Sequence, residues 1–298
     1  MTTTYNFEGS VLSSSLCELG EGPTFESGTG ESGGGTLWWF NILGKALHEF
    51  HLATGREAVH ALPVMGSVLA SIDADRQLLA SDRGLFIRDR ASGELAPYRE
   101  LEPEKPGNRS NDGRVHPSGS LWIGTMGRSA EDGAGAIYHV ARGVVTRLFS
   151  QISIPNSICF SPDGAIGYYV DTRVNRLMRV PLDPATGLPT GDAAVLVDEN
   201  GKSGGIDGSI CASDGTIWNA RWGQGAVDHY TADGTHLSRH LLPARRTTCP
   251  VFIGDGRLAV TSAWEGLDAA GRAADPLAGA LFEIAVPIHC DPEPAYRL

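Results

Sequence analysis

The chain has 298 residues, of which 41% are hydrophobic, and a formal net charge of −11 at pH 7. This acidic balance argues against nucleic acid or an anionic membrane surface as a partner, because lysine and arginine would have to neutralise phosphates. The N-terminal residues MTTTYNFEGS contain neither a basic region nor an apolar stretch, and no run of about 18 apolar residues occurs anywhere. We therefore expect a soluble, cytoplasmic protein.

Short segments rich in Val, Ile, Trp, Tyr and Phe alternate with turns, and no long window has the apolar spacing of an amphipathic helix. This pattern predicts an all-β chain. One series of six turns lies between such segments, and five further turns follow about 20 residues later. The first series comprises Gly34-Gly35, Asp75-Arg76, Ser118-Gly119, Asp163-Gly164, Asp214-Gly215 and Asp255-Gly256. The second series comprises residues 53–55, 91–93, 141–143, 185–187 and 232–234.

A period of about 40 to 50 residues with two hairpins in each unit is typical of a four-stranded propeller blade. The six units predict a six-bladed β-propeller, with four antiparallel strands per blade, as a single domain over residues 1–298. The sixth unit lacks the second turn, so we expect a strand around residues 11–16 to supply its outer strand and close the ring. The alternative is a β-sandwich or two smaller β domains.

Polar side chains recur at one position of the repeat. Asn111, Asn156 and Asp207 each stand eight residues before the glycine of the following turn. If the units superpose, these side chains lie at the starts of the innermost strands and converge at one mouth of the channel. Their oxygens suit a hard or borderline divalent cation. The count fails in the first unit because of an inserted loop, residues 26–35, and Glu21 just before that loop is the candidate ligand there.

Taken one at a time, these residues have ordinary explanations, since Asn and Asp favour turns and Glu21 could be a solvated loop residue. The shared offset is what favours a site.

Residues 28–33 fit the GxGxxG pattern but lack a surrounding βαβ unit, so we interpret them as a surface loop. The five cysteines include no CxxC pair and are expected to be reduced.

Five motifs in order carry a resemblance to a known family. They are Leu19-Gly20-Glu21-Gly22-Pro23, Asn108-Arg109-Ser110-Asn111-Asp112-Gly113 leading to Trp122-Ile123-Gly124-Thr125-Met126, Ile154-Pro155-Asn156 leading to Phe160-Ser161-Pro162-Asp163-Gly164, Asp171-Thr172, and Ile206-Asp207-Gly208. Together they resemble the senescence marker protein/regucalcin/gluconolactonase family over essentially the whole chain. Thr24-Phe25, Ser157 and Ile206 depart from its usual residues, which affects the expected pocket wall more than the expected ligands.

The resemblance implies a six-bladed propeller that holds one divalent metal ion, Ca²⁺, Zn²⁺, Mn²⁺, Mg²⁺ or Fe²⁺, through Glu21, Asn156 and Asp207. It also implies that Arg109 and Asn111 contact a sugar lactone. We therefore expect metal-dependent hydrolysis of an aldonolactone to the aldonic acid in sugar catabolism, by a monomer or weak homo-oligomer. Either Asp207 or a metal-bound hydroxide would act as the base.

Two other functions stay open from the sequence. One is a non-catalytic calcium-binding or interaction propeller, since a fold does not determine a function. The other is hydrolysis of different esters or phosphotriesters, but distant propellers of that kind usually have a channel histidine. None of the nine histidines lies at the offset of Asn111.

Asp112 is expected to be a structural hydrogen-bond acceptor and Asp171 to support the ligands.

Overall fold

The structure, a computed structural model, describes residues 2–28, 34–254, 256–288 and 291–298. Within these residues the chain forms 25 strands and one short helix, and the strands form six sheets. The predicted six-bladed β-propeller is therefore confirmed. Most of the GxGxxG segment, together with Asp255 and Cys290, lies outside the described residues.

The strands are numbered in chain order, and each blade runs from its innermost to its outermost strand. Two short strands come first, β1 (Thr3–Tyr5) and β2 (Ser10–Ser13). Blade 1 contains β3 (Gly20–Glu26), β4 (Thr36–Asn41), β5 (Ala46–His51) and β6 (Arg56–Ala61); blade 2 contains β7 (Gly66–Ser71), β8 (Arg76–Ser81), β9 (Gly84–Asp89) and β10 (Leu95–Arg99). Blade 3 contains β11 (Asn108–Val115), β12 (Leu121–Gly127), β13 (Gly135–Ala141) and β14 (Val144–Ile152).

Blade 4 contains β15 (Pro155–Phe160), β16 (Ile166–Asp171), β17 (Arg176–Pro181) and β18 (Ala194–Asp198); blade 5 contains β19 (Gly205–Cys211), β20 (Ile217–Trp222), β21 (Ala226–Tyr230) and β22 (His236–Leu241). Blade 6 contains β23 (Thr247–Phe252), β24 (Arg257–Ser262) and β25 (Leu281–Ala285), with the helix α1 (Ala269–Ala274) between the last two. The predicted turns join first to second and third to fourth strands. Gly119 and Gly215 adopt φ of 87° and 82° there, a conformation that glycine tolerates best.

The N-terminal segment closes the ring. Strand β2 pairs with β25 in antiparallel fashion, with Val11 opposite Phe282, so it is the outer strand of blade 6. This confirms the predicted closure, although the strand spans Ser10–Ser13 rather than residues 11–16. Strand β1 adds to β22 as a parallel fifth strand of blade 5. It was not predicted, because its three exposed residues carry no apolar alternation.

Large aromatic side chains fill the spaces between blades. Trp39, Trp122 and Trp218 are at most 1% exposed. Trp122 of blade 3 packs edge-on against Phe160 of blade 4, with ring centroids 5.3 Å apart. These tryptophans pack the sheets against one another around the central channel.

Every innermost strand contains a shift of register close to its beginning. Such bulges redirect side chains, here toward the mouth of the channel. Asn111 and Asp207 lie inside the interrupted stretch, whereas Asn156 still pairs with Val170 just before it. Relative to the bulge, Asn156 therefore lies one position earlier than Asn111 and Asp207. The reason is that, by strand pairing, the turn of blade 4 contains one more residue than the turns of blades 3 and 5.

The C-terminal residues 291–298 cross the channel at the end where the innermost strands finish. The backbone amide of Tyr296 donates to the carbonyl of Ser71 at 2.8 Å, and that of Arg297 donates to Gly119 at 2.9 Å. Glu293 pairs with Arg114 of β11. This end of the channel is thus covered by the chain itself.

Among the described residues, Cys17, Cys159, Cys211 and Cys249 are buried. Over the same part of the chain, no helix has the length and apolar character needed to span a membrane.

Candidate active site

A cavity of about 320 Å³ opens at the end of the channel where the innermost strands begin. The structure brings all five sequence-predicted site residues to it. They are at most 8% exposed, so their polar groups are largely withdrawn from water. The lining residues are Leu19, Glu21, Arg109, Asn111, Met126, Arg128, Ser129, Ala130, Ile154, Asn156, Thr172, Asp207, Trp222 and Glu265.

A chain of hydrogen bonds crosses three blades at the cavity wall. Arg109 Nη1 donates to Asn111 Oδ1 at 2.6 Å, and Asn111 Nδ2 donates to Asn156 Oδ1 at 2.9 Å. Asn156 Nδ2 donates to Thr172 Oγ1 at 2.9 Å, and Thr172 donates in turn to the carbonyl of Ile206 at 2.7 Å. This network fixes the amide groups, so the site is preorganised before any ligand enters.

Two carboxylates are buried in the same wall. Burial raises the pKa of Glu21 to about 8, and the nearby Asp112 adds to the effect. Burial also raises the pKa of Asp207, with the negative charge of Glu21 as the next cause. Glu21 Oε2 accepts only the backbone N–H of Gly22, at 3.1 Å, within the described residues. Asp207 Oδ1 is buried without any hydrogen-bond partner there.

This arrangement fits a bound cation. Two buried carboxylates that repel each other, one with an unpartnered oxygen, are costly unless a positive charge offsets them. The described residues contain no close group of three His, Cys, Asp or Glu side chains, so a third protein ligand here would be the amide oxygen of Asn156. Oxygen donors from Glu21, Asn156 and Asp207 suit a hard or borderline divalent ion.

The two accessory aspartates have structural partners. Asp112 Oδ1 accepts from the backbone N–H of Gly113 at 2.8 Å, and its Oδ2 accepts from that of Ile158 at 2.7 Å, as expected. Asp171 accepts from the backbone N–H groups of Ser153 and Ile154 at 2.8 and 3.0 Å. It does not line the cavity, but it holds the turn that leads into β15 and hence Asn156.

Sequence reasoning missed part of the cavity wall. Trp222 ends the second strand of blade 5, Glu265 lies in the loop between β24 and α1, and Arg128 follows β12. The offset count examined only positions before the inter-strand turns, so it could not find residues that follow the second strands. A search for polar and aromatic residues just after each second strand would have found all three.

The electrostatics of the wall are mixed. Burial lowers the pKa of the Arg109 guanidinium, while the carboxylates of Glu265 and Glu21 act in the opposite direction. Arg128 forms an ion pair with Asp82 at 2.7 Å at the rim. The cavity therefore offers both donors and acceptors to a polar ligand.

Six blades with a buried, carboxylate-bearing cavity at one end of the channel define the protein as a β-propeller with a polar cavity at its channel mouth. Residues 19–264 match the family model described as the SMP-30/Gluconolactonase/LRE-like region. The chain belongs to this family, as the resemblance of its motifs implied.

Named relatives extend over the whole chain. A provisionally named sugar lactone lactonase of Rhizobium meliloti (strain 1021) is 59% identical, with 100% of both chains covered. The L-arabinolactonase of Azospirillum brasilense is 32% identical over 92% of this chain and 91% of its own. The crystal structure of a calcium-binding protein, regucalcin, from Agrobacterium tumefaciens superposes with a TM-score of 0.96 at 60% identity, with 100% of both chains covered.

Proposed function

We propose that the protein hydrolyses sugar lactones to aldonic acids with one divalent metal ion held by Glu21, Asn156 and Asp207. The observation that carries this proposal is the meeting of two buried carboxylates with the Arg109–Asn111–Asn156 hydrogen-bond network in one cavity. The names of the relatives, among them a sugar lactone lactonase and an L-arabinolactonase, support the substrate class.

The bound metal would polarise the lactone carbonyl and stabilise the negative charge that develops on its oxygen. Arg109 and Asn111 orient the ring, since their donors lie beside the proposed ligands. Asp207 accepts a proton from the attacking water through the oxygen that does not bind metal. As the ring C–O bond breaks, that proton passes to the leaving ring oxygen, which becomes a hydroxyl. The carboxylic acid formed at the same time releases the second proton of the water to solvent and leaves as the carboxylate.

A metal-removal assay tests the proposal. The protein is stripped with a chelator, then supplied separately with Ca²⁺, Mg²⁺, Mn²⁺, Zn²⁺ and Fe²⁺, and proton release is measured on a panel of aldonolactones. We expect loss of turnover on stripping and recovery with at least one metal. Asp207→Ala should reduce turnover to the spontaneous rate. A response that is flat for every metal and lactone would refute the enzymatic proposal.

A non-catalytic calcium-binding role is the second candidate. It is favoured by the structural similarity to the calcium-binding regucalcin from Agrobacterium tumefaciens. Such a role needs the carboxylates but gives no use to Arg109, which is 5% exposed and lines the cavity. Calcium binding measured by calorimetry, together with an absence of lactone opening, would favour it.

We also propose that the protein acts in the cytoplasm, because Cys17, Cys159 and Cys249 are buried thiols.

A further inference from the structure

The carboxylate of Glu265 has no part in the mechanism above. This residue follows β24 and lines the cavity together with Arg109 and Trp222. Within the described residues its carboxylate accepts no hydrogen bond and forms no ion pair. Burial raises its pKa, although the charge of Arg109 opposes this effect. The carboxylate therefore has acceptor capacity left for a donor on a ligand in the cavity.

The backbone around Glu265 is held firmly. Its N–H donates to the carbonyl of Glu18 at 2.8 Å, and the N–H of Trp264 donates to the same carbonyl at 3.1 Å. The N–H of Leu267 donates to the carbonyl of Trp264 at 3.0 Å, which closes a turn. The carboxylate is therefore presented to the cavity from a fixed base, as a ligand-binding group should be.

Glu265 is not placed as a metal ligand. Together with Glu21 and Asp207 it would make a group of three carboxylates, but no such close group exists among the described residues. It therefore lies in a different part of the cavity from the two proposed metal ligands.

The wall around Glu265 combines an acceptor with apolar surface. Trp222 lines the cavity and is covered on one side by Arg246, whose guanidinium carbon lies 5.3 Å from the ring centroid. Leu19 lines the same wall. A sugar ring carries hydroxyl groups at its edge and C–H groups on its faces. Such a ring can place hydroxyls on the carboxylate and C–H groups on the aromatic and aliphatic side chains.

We propose that Glu265 is a specificity-determining residue that accepts hydrogen bonds from substrate hydroxyls remote from the carbonyl, and so restricts the site to polyhydroxylated lactones. This inference rests on the proposed lactonase function. Its physical basis is the discrimination of buried polar sites, which reject an analogue that leaves their polar groups unpaired.

The test compares Glu265→Gln with the unaltered protein on matched pairs of substrates. The pairs are D-glucono-1,5-lactone with δ-valerolactone, and L-arabinono-1,4-lactone with γ-butyrolactone, which have the same ring sizes with and without hydroxyls. We expect kcat/KM for the hydroxylated lactones to fall roughly 10- to 150-fold, the range for hydrogen bonds to a charged group. The fall should be mainly in KM, and the unsubstituted lactones should be unaffected.

Glu18→Gln is the matched control. It removes a carboxylate that influences Glu265 electrostatically but does not line the cavity, so it should leave the substrate preference unchanged. Equal losses on both members of a pair, or no loss on either, would overturn the proposal for Glu265 while leaving lactone hydrolysis intact. Failure of the unaltered protein to open any lactone would instead refute the proposed function.

Titration calorimetry tests the role of Glu265 in hydroxyl binding independently of turnover. We expect 1,5-anhydroglucitol, a cyclic polyol without the ester carbonyl, to bind the unaltered protein and to bind Glu265→Gln at least tenfold more weakly. Tetrahydropyran, which lacks the hydroxyls, should not distinguish the two proteins. Equal affinity of the polyol for both proteins would overturn the proposal.

Discussion

Asp207 combines burial with an unpartnered carboxylate oxygen, which folding by itself disfavours. The residue is 4% exposed, and Glu21 adds a second negative charge nearby. Buried polar groups without partners cost about 1–3 kcal/mol each, and more when they are charged. Such groups concentrate at functional sites, where a ligand offsets the cost.

We therefore expect the free energy of unfolding of Asp207→Asn, measured by denaturant titration in the presence of a chelator, to exceed that of the unaltered protein by about 1 kcal/mol or more. On addition of metal the unaltered protein should gain stability by mass action, and the variant should gain much less. Asp192→Asn, at an exposed position, should change neither quantity. A variant that is less stable in chelator and gains as much from metal would contradict this account.

His229 makes stability depend on pH. Burial lowers its pKa from 6.5 to about 4, and its ring stacks on Trp218 with centroids 4.0 Å apart. The unfolded chain takes up a proton near pH 6.5, whereas the folded state resists protonation until about pH 4. Stability from this group is therefore complete above pH 6.5 and is lost as the pH falls toward 4.

Urea unfolding at pH 7.0 and 5.0 tests this dependence. His48, His116, His139 and His240 also have lowered pKa values and act in the same direction, whereas the raised pKa values of Glu21 and Asp207 act in the opposite direction. The effect of His229 is therefore read from the difference between the variant and the unaltered protein. His229→Phe should lose measurably less over the same interval. An identical loss in both proteins would show that His229 does not titrate as proposed.

At the scale of elements, Ser13 and Ser15 both join the two ends of the ring through Glu57, whose Oε1 also accepts from Ser15 Oγ at 2.7 Å. Ser13 on β2 is 2% exposed, and its Oγ lies 2.9 and 2.8 Å from the two carboxylate oxygens of Glu57 on β6. The contact links the outer strand of blade 6 to the outer strand of blade 1. It therefore lies across the only seam at which the first and last blades meet in the described structure.

We expect Ser13→Ala to lower the free energy of unfolding by about 1.5 kcal/mol, the magnitude for a hydrogen bond to a charged group. Ser10→Ala, an exposed position on the same strand, should have no measurable effect. Chemical denaturation of both variants measures the difference. Equal stability of the two variants would mean that this contact does not contribute to ring closure.

The register of the innermost strands could not be predicted from the sequence. Counting residues back from the turns placed Asn111, Asn156 and Asp207 together, and all three line the cavity. The count could not see that the turn of blade 4 is longer and that its bulge is displaced accordingly. Register in a sheet is decided by pairing with the neighbouring strand, which a count along one strand does not contain.

On the scale of the whole molecule, the C-terminal segment covers the channel end remote from the site. Tyr296 is 1% exposed within the core formed by blades 2 and 3, and its backbone bonds to Ser71. Because the proposed metal ligands lie at the opposite end, this segment should support stability without taking part in the proposed reaction.

We expect Tyr296→Ala to cost about 3 kcal/mol of stability through the cavity that it creates. Below its melting temperature the variant should keep the kcat and KM of the unaltered protein. Leu298→Ala, at a side chain that is 43% exposed, is the control and should melt normally. A loss of turnover in folded Tyr296→Ala would show that the two ends of the channel are coupled.

The repeating pattern of turns and apolar segments by itself determined the six blades, the four-stranded units and the closure by an N-terminal strand. These features follow from local chemistry, since turn residues and strand periodicity act over a few neighbouring positions. The motifs also brought Glu21, Arg109, Asn111, Asn156 and Asp207 into one group of candidates, and the structure places them around one cavity.

Only the tertiary structure decided the rest of the cavity wall, the extra strand of blade 5 and the segment that covers the far end of the channel. Trp222 enters the cavity from the end of β20 and Glu265 from the loop after β24, β1 joins blade 5, and residues 291–298 cross the far end of the channel. Each of these contacts joins residues that are distant in the chain and share no periodic signal. Their positions depend on how the blades pack around the axis, which no local pattern of residues encodes.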